Sequence, residues 1–439
     1  MTAPAKAEVF KLSDALALAY ETNPQIAQAR AALAALDQGV AQANAGWRPS
    51  VNASVSDGYD HGVIQGYPSP VDTRPLIGQV TLSQPIFRGG RTYAEIDRAI
   101  ELVQAGRAQL TTTEQNVLLA AVTAYMDVVR DSTDVALNRS NVKALEQEFS
   151  GVHTQFAAGA VTKTDALQAE ARLERARADE AIAENQLAAS RAAFESTIGR
   201  PPETLETSVP PPHLPTNKEV ALTLALKQNP ELLNAKANER AADYAVTDAL
   251  GALLPEISVS GQYQFLRGAP NASIFGIGNQ QQVTSVTAQL NVPIYQGGSE
   301  EATVRRAKDA HWQSELAITA AERTVRQNLD SAWQALHGFE LSITANQAQA
   351  AANQGAVSGI MEEQHAGERL VIDVLNAQQE LFLAQVSLAA AQHDYIVGAY
   401  RLLAVTGQLT AQNLALNTKI YDPQVHYDEN ADAWFGLGK

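Results

Sequence analysis

Four stretches of the chain alternate polar and apolar residues one by one. In Glu256-Ile-Ser-Val-Ser-Gly-Gln-Tyr-Gln-Phe265, one face carries Ile257, Val259, Gly261, Tyr263 and Phe265, and the other Glu256, Ser258, Ser260, Gln262 and Gln264. Val286, Ala288, Leu290 and Val292 alternate with Thr287, Gln289 and Asn291. Val51, Ala53 and Val55 alternate with Asn52, Ser54 and Ser56, and Val80 and Leu82 with Thr81 and Ser83. A period of two predicts strands with one apolar and one polar face, over about 50–60, 78–87, 256–266 and 283–293. Segments of this length suit a thin apolar slab, one face on lipid and one on water. A half-buried strand of a soluble sheet shows the same alternation.

Everywhere else the period is helical. Ile318, Ala321, Val325, Leu329, Ala332, Leu336, Phe339 and Ile343 step by three and four, close to a coiled-coil seam. Val374, Leu381, Leu388, Tyr395 and Leu402 recur every seven residues, with Ala377, Ala384, Ala391 and Gly398 at the other seam position. Large and small knobs in alternation let helix axes approach closely. The first half keeps the small series, Ala169, Ala176, Ala183 and Ser190, and in the large series Leu173, Leu187 and Phe194 with Glu180 as a break. From Arg91 to about Phe156 no proline interrupts, which predicts a helix of about 100 Å. Two helical stretches near Ser13–Ala45 and Asn217–Leu250 are each broken by Asn-Pro. Placed end to end, the two pieces of such a stretch run antiparallel to a long helix, and the molecule is expected to be elongated.

The pattern occurs twice. Asn23-Pro24 matches Asn229-Pro230, and Pro49 matches Pro255, both at an offset of 206. Gln84-Pro-Ile-Phe-Arg-Gly-Gly90 matches Val292-Pro-Ile-Tyr-Gln-Gly-Gly298 at 208, as Gly159 matches Gly367, Asp165 matches Asp373, and Gly199 matches Gly407. A tandem duplication is expected: a first unit over 10–200, a Pro-rich linker over 201–216, a second unit over 217–412 and a tail over 413–439. Each unit reads helix, strand, loop, strand, very long helix, glycine turn, helix.

Composition narrows the function. Charged residues are 18%, hydrophobic 45% and aromatic only 6%, so much of the apolar fraction is alanine, which suits closely packed helices. The net charge of −16 argues against phosphate neutralisation, so no nucleic-acid partner is expected. The absence of cysteine excludes disulfides, thiolate metal sites, a thiol nucleophile and a lipid-modified N-terminal cysteine. No 18-residue apolar run predicts a transmembrane helix. The start, Met1-Thr-Ala-Pro-Ala-Lys, has no apolar core, so no signal peptide is expected within this chain. The eight histidines, among them His153, His311, His337 and His393, show no HExxH or comparable spacing, and Gly276-Ile-Gly278 lacks the rest of a nucleotide fingerprint. Neither metal nor cofactor is expected, and no nucleophile–base constellation suggests an enzyme. Trp47, Trp312 and Trp333 are expected to pack, whereas Trp434 and Phe435 have no assigned place.

Four amphipathic strands cannot close a barrel, and lipid does not tolerate open strand edges. If the strands meet lipid, several chains must share one barrel. The ordered, duplicated unit resembles the TolC family of outer-membrane channel-tunnel proteins over about residues 10–415. Its carriers are the paired Asn-Pro and Gly-Gly signatures and the turns Gly159-Ala-Val-Thr-Lys-Thr-Asp165 and Gly367-Glu-Arg-Leu-Val-Ile-Asp373. Phe87-Arg-Gly-Gly-Arg91 and Tyr421-Asp-Pro-Gln-Val-His-Tyr427 look most like the type I secretion branch.

The resemblance implies a mostly α fold in a homotrimer. Four strands per chain would enter a shared 12-stranded transmembrane barrel, and long antiparallel coiled-coil helices would form a periplasmic tunnel. It implies a periplasmic adaptor and an inner-membrane ABC transporter as partners, or a resistance-nodulation pump if the duct serves multidrug efflux. Exported proteins or small molecules would be the cargo. Arg369 matches the family's gate arginine, and Thr164 and Asp165 its partners, while Gln364 stands where the family has tyrosine. Asp373 matches the entrance carboxylate, and the second acidic ring falls on Asn376. Gly159, Ala160, Gly367 and Glu368 fall at the adaptor-docking turns. A soluble coiled-coil scaffold is the alternative from another class.

Overall fold

The computed structural model describes residues 9–63, 70–268 and 280–436. Met1 to Lys6 and the Gly276–Gly278 fragment lie outside them. Each half runs through the same order. In the first, α1 (Leu12–Thr22) and α2 (Pro24–Asn44) lead to β1 (Ser50–Asp57) and β4 (Leu76–Arg88), then α3 (Arg91–Ala157) and α4 (Lys163–Ile198). Two three-residue strands, β2 (Asp60–Gly62) and β3 (Val71–Thr73), form a small ribbon between β1 and β4 that the alternation did not announce. In the second, α5 (Lys218–Gln228) and α6 (Pro230–Gly251) lead to β5 (Glu256–Arg267), β6 (Gln280–Asn291), α7 (Ser299–His365) and α8 (Val371–Val405). A short α9 (Pro423–Asn430) follows in the tail.

Both Asn-Pro joints work alike. Proline stands first in the second helix, where its missing N–H would lack a partner anyway. The preceding Asn leaves helical geometry and caps that helix: Asn229 Oδ1 accepts from the Glu231 and Leu232 amides at 3.0 and 3.2 Å, and Asn23 Oδ1 from Gln25 at 2.9 Å. The same side chains then reach a neighbouring helix end. Asn229 Nδ2 donates to the Val405 carbonyl at 3.0 Å, and Asn23 Nδ2 to the Thr197 carbonyl at 3.0 Å. One residue type thus satisfies orphan groups at two helix termini.

The chain divides into two compact units. One holds Met1–Ala31, Ala108–Leu233 and Ala320–Tyr421. Its largest core surrounds Tyr125, packed with Phe10, Leu16, Ile26, Leu118, Phe194 and Leu409. The Tyr125 hydroxyl donates to the Phe10 carbonyl at 2.8 Å and accepts from the Glu206 amide at 2.9 Å; burial pushes its pKa up to about 12. The Pro-rich linker is therefore no free tether. Phe10 bridges Leu205, and Leu205, Val209 and Leu214 pack on this core. Glu180, the break in the seam of α4, is met by Arg139 of α3 at 3.4 Å.

The other unit holds Ala32–Arg107, Asn234–Thr319 and Asp422–Lys439. Its sheet is antiparallel in the order β1-β4-β5-β6, with β1 and β6 at the edges. Through the middle of the sheet the register lines up the two faces across all four strands. Val51, Leu82, Gly261 and Val286 form one row, and Asn52, Thr81, Gln262 and Ser285 the next. A slip of one residue would mix the faces, so the pattern specifies the pairing. The ladder shifts between Pro85 and Phe87, where proline has no N–H to donate. The tail is fastened within this unit: His426 Nδ1 lies 2.7 Å from buried Asp37, Arg107 donates to Gln424 at 2.8 Å, and Arg48 stacks 4.7 Å from the Trp434 ring centre. Trp47 packs edge-on against Tyr93, but Trp312 is 61% exposed on α7. Within the single chain, then, Trp312 lacks the packing expected of it.

Candidate functional site

The glycine turns joining α3 to α4 and α7 to α8 are built alike. Gly159 and Gly367 have φ of +76° and +82°, which glycine adopts without a Cβ clash. Their amides, with those of Ala160 and Glu368, return to the last carbonyls of the preceding helix. Ala160 donates to Gln155 and Glu368 to Glu363, both at 2.9 Å. The next helix then starts on a carboxylate. Asp165 Oδ2 accepts from the Thr162 hydroxyl at 2.7 Å and the Thr162 amide at 3.0 Å, and the Thr162 hydroxyl oxygen accepts from the Asp165 amide. These bonds hold the Asp165 pKa below its usual value. Asp373 repeats the device, accepting from the Leu370 amide at 3.2 Å.

Beneath the turns Val142, Leu145, Leu173, Val371 and Leu375 form a buried cluster that fixes the start of α8 against α3 and α4. Across it Arg172 Nη2 of α4 donates to Asn376 Oδ1 of α8 at 3.0 Å. Gln364 lines a groove of about 490 Å³ between α3, α7 and α8, together with Gln155, Met361, Gln378 and Gln385.

The turn after α7 is acidic. Its sequence places Glu362, Glu363, Glu368 and Asp373 within a few residues of one cation, Arg369, whose Nε donates to Glu363 at 2.7 Å. Among the described residues no hydrogen bond or ion pair joins Arg369 to Thr164 or Asp165. Within one chain Asp165 is engaged as a helix cap and Arg369 by its own hairpin. Sequence reasoning passed over Glu363 and Arg172. Glu363 was accessible, since it lies six residues before Arg369 across a glycine turn; Arg172 became visible only once α4 and α8 were paired.

Long helical hairpins ending in glycine turns, together with an open four-stranded sheet apolar on one face, define the channel-tunnel class of outer-membrane proteins. The family model described as outer membrane efflux protein matches residues 15–200 and 221–408, and the chain belongs to that family, the TolC-type channels. It is 33% identical to the outer membrane efflux protein BepC of Brucella suis over 97% of this chain and 91% of that protein. It is 24% identical to the alkaline protease secretion protein AprF of Pseudomonas aeruginosa over 79% of this chain and 72% of that one. A solved structure of CusC superposes with a TM-score of 0.80 at 16% identity, covering 93% of this chain and 95% of that one. The family is one of channels of the outer membrane, not of enzymes. No helix among the described residues is long and apolar enough to cross a membrane.

Proposed function

We propose that three copies of the chain share one barrel and form the exit duct of a type I protein secretion system. The observation that carries this is the sheet. Its apolar face is exposed, with Val51 at 65%, Val286 at 78% and Leu290 at 63%, and both of its edges lack a neighbour among the described residues. Lipid on the apolar face explains the exposure, and further chains at β1 and β6 satisfy the edges. A strand of 12 residues extends about 40 Å, and tilted by about 45° it crosses an apolar band of about 25 Å. Twelve strands leave a lumen, where eight are filled by side chains.

The duct hydrolyses nothing; an inner-membrane ABC transporter and a periplasmic adaptor supply energy and dock at the turns carrying Gly159, Ala160, Gly367 and Glu368. Arg369 latches the aperture in this reading, held by Glu363 at rest and facing Thr164 and Asp165 of a neighbouring helix, with Gln364 beside it. Asp373 in three copies would concentrate negative charge at the entrance and favour cations. Asn376 adds a neutral ring, already engaged by Arg172. In planar bilayers wild-type protein is expected to show small, long-lived openings, and Arg369→Ser openings several times larger. A wild-type pore already wide open would remove the latch but keep the channel. Protein that stays soluble and monomeric without detergent, with no conductance, would favour a scaffold.

Polypeptide cargo rests on Phe87-Arg-Gly-Gly-Arg91 and on the likeness to AprF. Drug efflux is the second reading, favoured by the higher identity to BepC. Cross-linking in cells separates them: an ABC transporter captured with the chain is the expected result, and a resistance-nodulation pump in its place transfers the chain to efflux.

A further inference from the structure

Near the start of α7, a second group of chemistry-bearing side chains converges. His311 Nε2 lies 2.8 Å from Glu239 Oε1 of α6, and both side chains are about three-quarters buried, at 24% and 23% exposure. Glu315 stands four residues after His311 on α7, on the same helix face. One ligand atom from each of the three lies within 4.8 Å of the others, and among the described residues this is the one such grouping. We propose that Glu239, His311 and Glu315 bind a divalent transition-metal ion of the zinc class, which bridges α6 to α7.

The donor set fits that ion. One imidazole nitrogen and two carboxylate oxygens are zinc's ordinary non-sulfur ligands, at about 2.0–2.2 Å, and three of them leave a position for water. The imidazole disfavours magnesium and calcium, which take oxygen. Drawing three atoms from within 4.8 Å onto one ion needs only side-chain rotation, because Glu315 is exposed and free to swing. Two carboxylates over-neutralise a lone imidazole, and Asp243 adds negative potential at His311. The neighbouring cation on α6, Arg240, is engaged by Glu101 at 2.7 Å. Sequence reasoning passed the site by because His311 and Glu315 supply two ligands, and the third comes from a helix 72 residues earlier in the chain.

The position suggests a brace. Helix α6 runs into β5 and α7 runs out of β6, so the two helices carry the β5–β6 hairpin. His311 lies 12 residues into α7, about 18 Å along the helix from its start. An ion there would clamp the helix pair where it supports the strands.

The test uses the full chain, free of any histidine tag, purified in detergent and stripped with chelator. Zinc chloride is titrated calorimetrically, and bound zinc is measured after equilibrium dialysis. One zinc per chain is expected for the wild type and for His61→Ala, whose histidine pairs with Asp72 elsewhere. Binding should disappear in His311→Ala and weaken at least about tenfold in Glu315→Gln, where an exposed residue changes and the fold is not at risk. Zinc should raise the thermal midpoint of the wild type and leave that of His311→Ala unmoved. No uptake by the wild type, or uptake undiminished in both variants, overturns the site.

Discussion

Gly407→Ala is expected to destabilise the protein far more than Gly199→Ala, although the two glycines occupy matching positions after α8 and α4. Both need the left-handed region, with φ of +78° and +95°, so each alanine costs about 1–2 kcal/mol in backbone strain alone. The surroundings differ. A Cβ on Gly407 would lie 2.3 Å from the Gln228 carbonyl oxygen, 2.5 Å from its carbon and 3.0 Å from the Asn229 nitrogen. All three are backbone atoms of the Asn-Pro joint, whose Asn229 side chain is tied to the Val405 carbonyl. The joint cannot retreat without breaking that bond and the cap on α6. Overpacking against a fixed backbone adds about 1–3 kcal/mol. A Cβ on Gly199 meets only the Thr22 side chain, its hydroxyl at 3.0 Å, which can give way at the expense of its bonds to the Leu18 and Ile198 carbonyls. Thermal unfolding in detergent should place Gly407→Ala several degrees below Gly199→Ala. Equal losses would mean that the left-handed backbone is the whole cost and that the contact with Gln228 contributes nothing.

This difference also marks how far the sequence could be read. The matched glycines, the Asn-Pro joints, the long helices and the four strands all follow from local periodicity, because a residue's own neighbours decide whether its side chain alternates or winds. The face of β5 written in Ile257, Val259 and Gly261 is paired with Leu290, Ala288 and Val286 of β6, since register follows once one side is apolar. What remained hidden depends on partners from distant segments. Glu363 beside Arg369, Arg172 on Asn376, and Glu239 with His311 each need to know which helices pack together. The ribbon of β2 and β3 is too short to show a period. The tail has no repeat to match, and its place is set by single contacts such as His426 with Asp37.

A charged cluster in α3 belongs to the same hidden class, and its central cation is expected to matter most. Arg130→Met should cost about 2–4 kcal/mol, somewhat less than a fully buried pair because Arg130 keeps 24% of its surface in water. Arg130 reaches Asp127 at 3.0 Å and Asp131 at 2.8 Å, and the Asp131 side chain is only 3% exposed. Ser190 of α4 donates to the same carboxylate. From α8, His393 lies between Asp127 at 3.0 Å and Asp394 at 2.9 Å. Four carboxylates, Asp127, Asp131, Asp134 and Asp394, therefore share one permanent cation and one titratable one. Asp134 is pushed up, by burial first and by Asp131 second, which marks the excess of negative charge.

The loss should depend on pH in a definite direction. Burial works to lower the His393 pKa, but its bonds to Asp127 and Asp394 outweigh this and raise it above 6.5. A raised histidine stabilises the fold fully below about pH 6.5, and the contribution fades as pH climbs through the folded value. Arg130 opposes protonation of His393, so removing it lets the histidine take over part of the neutralisation at low pH. Asp127 runs the other way. Burial raises its pKa, but His393 and Arg130 together bring it below the usual value, so its stabilisation holds at neutral pH and is lost only as pH falls through that depressed value. Between pH 6 and pH 9 the histidine governs. The midpoint difference between wild type and Arg130→Met should widen from pH 6 to pH 9, and a His393→Gln background should abolish the widening. A penalty that is flat across this range would assign the loss to packing of the arginine's aliphatic stem and not to the charge it supplies.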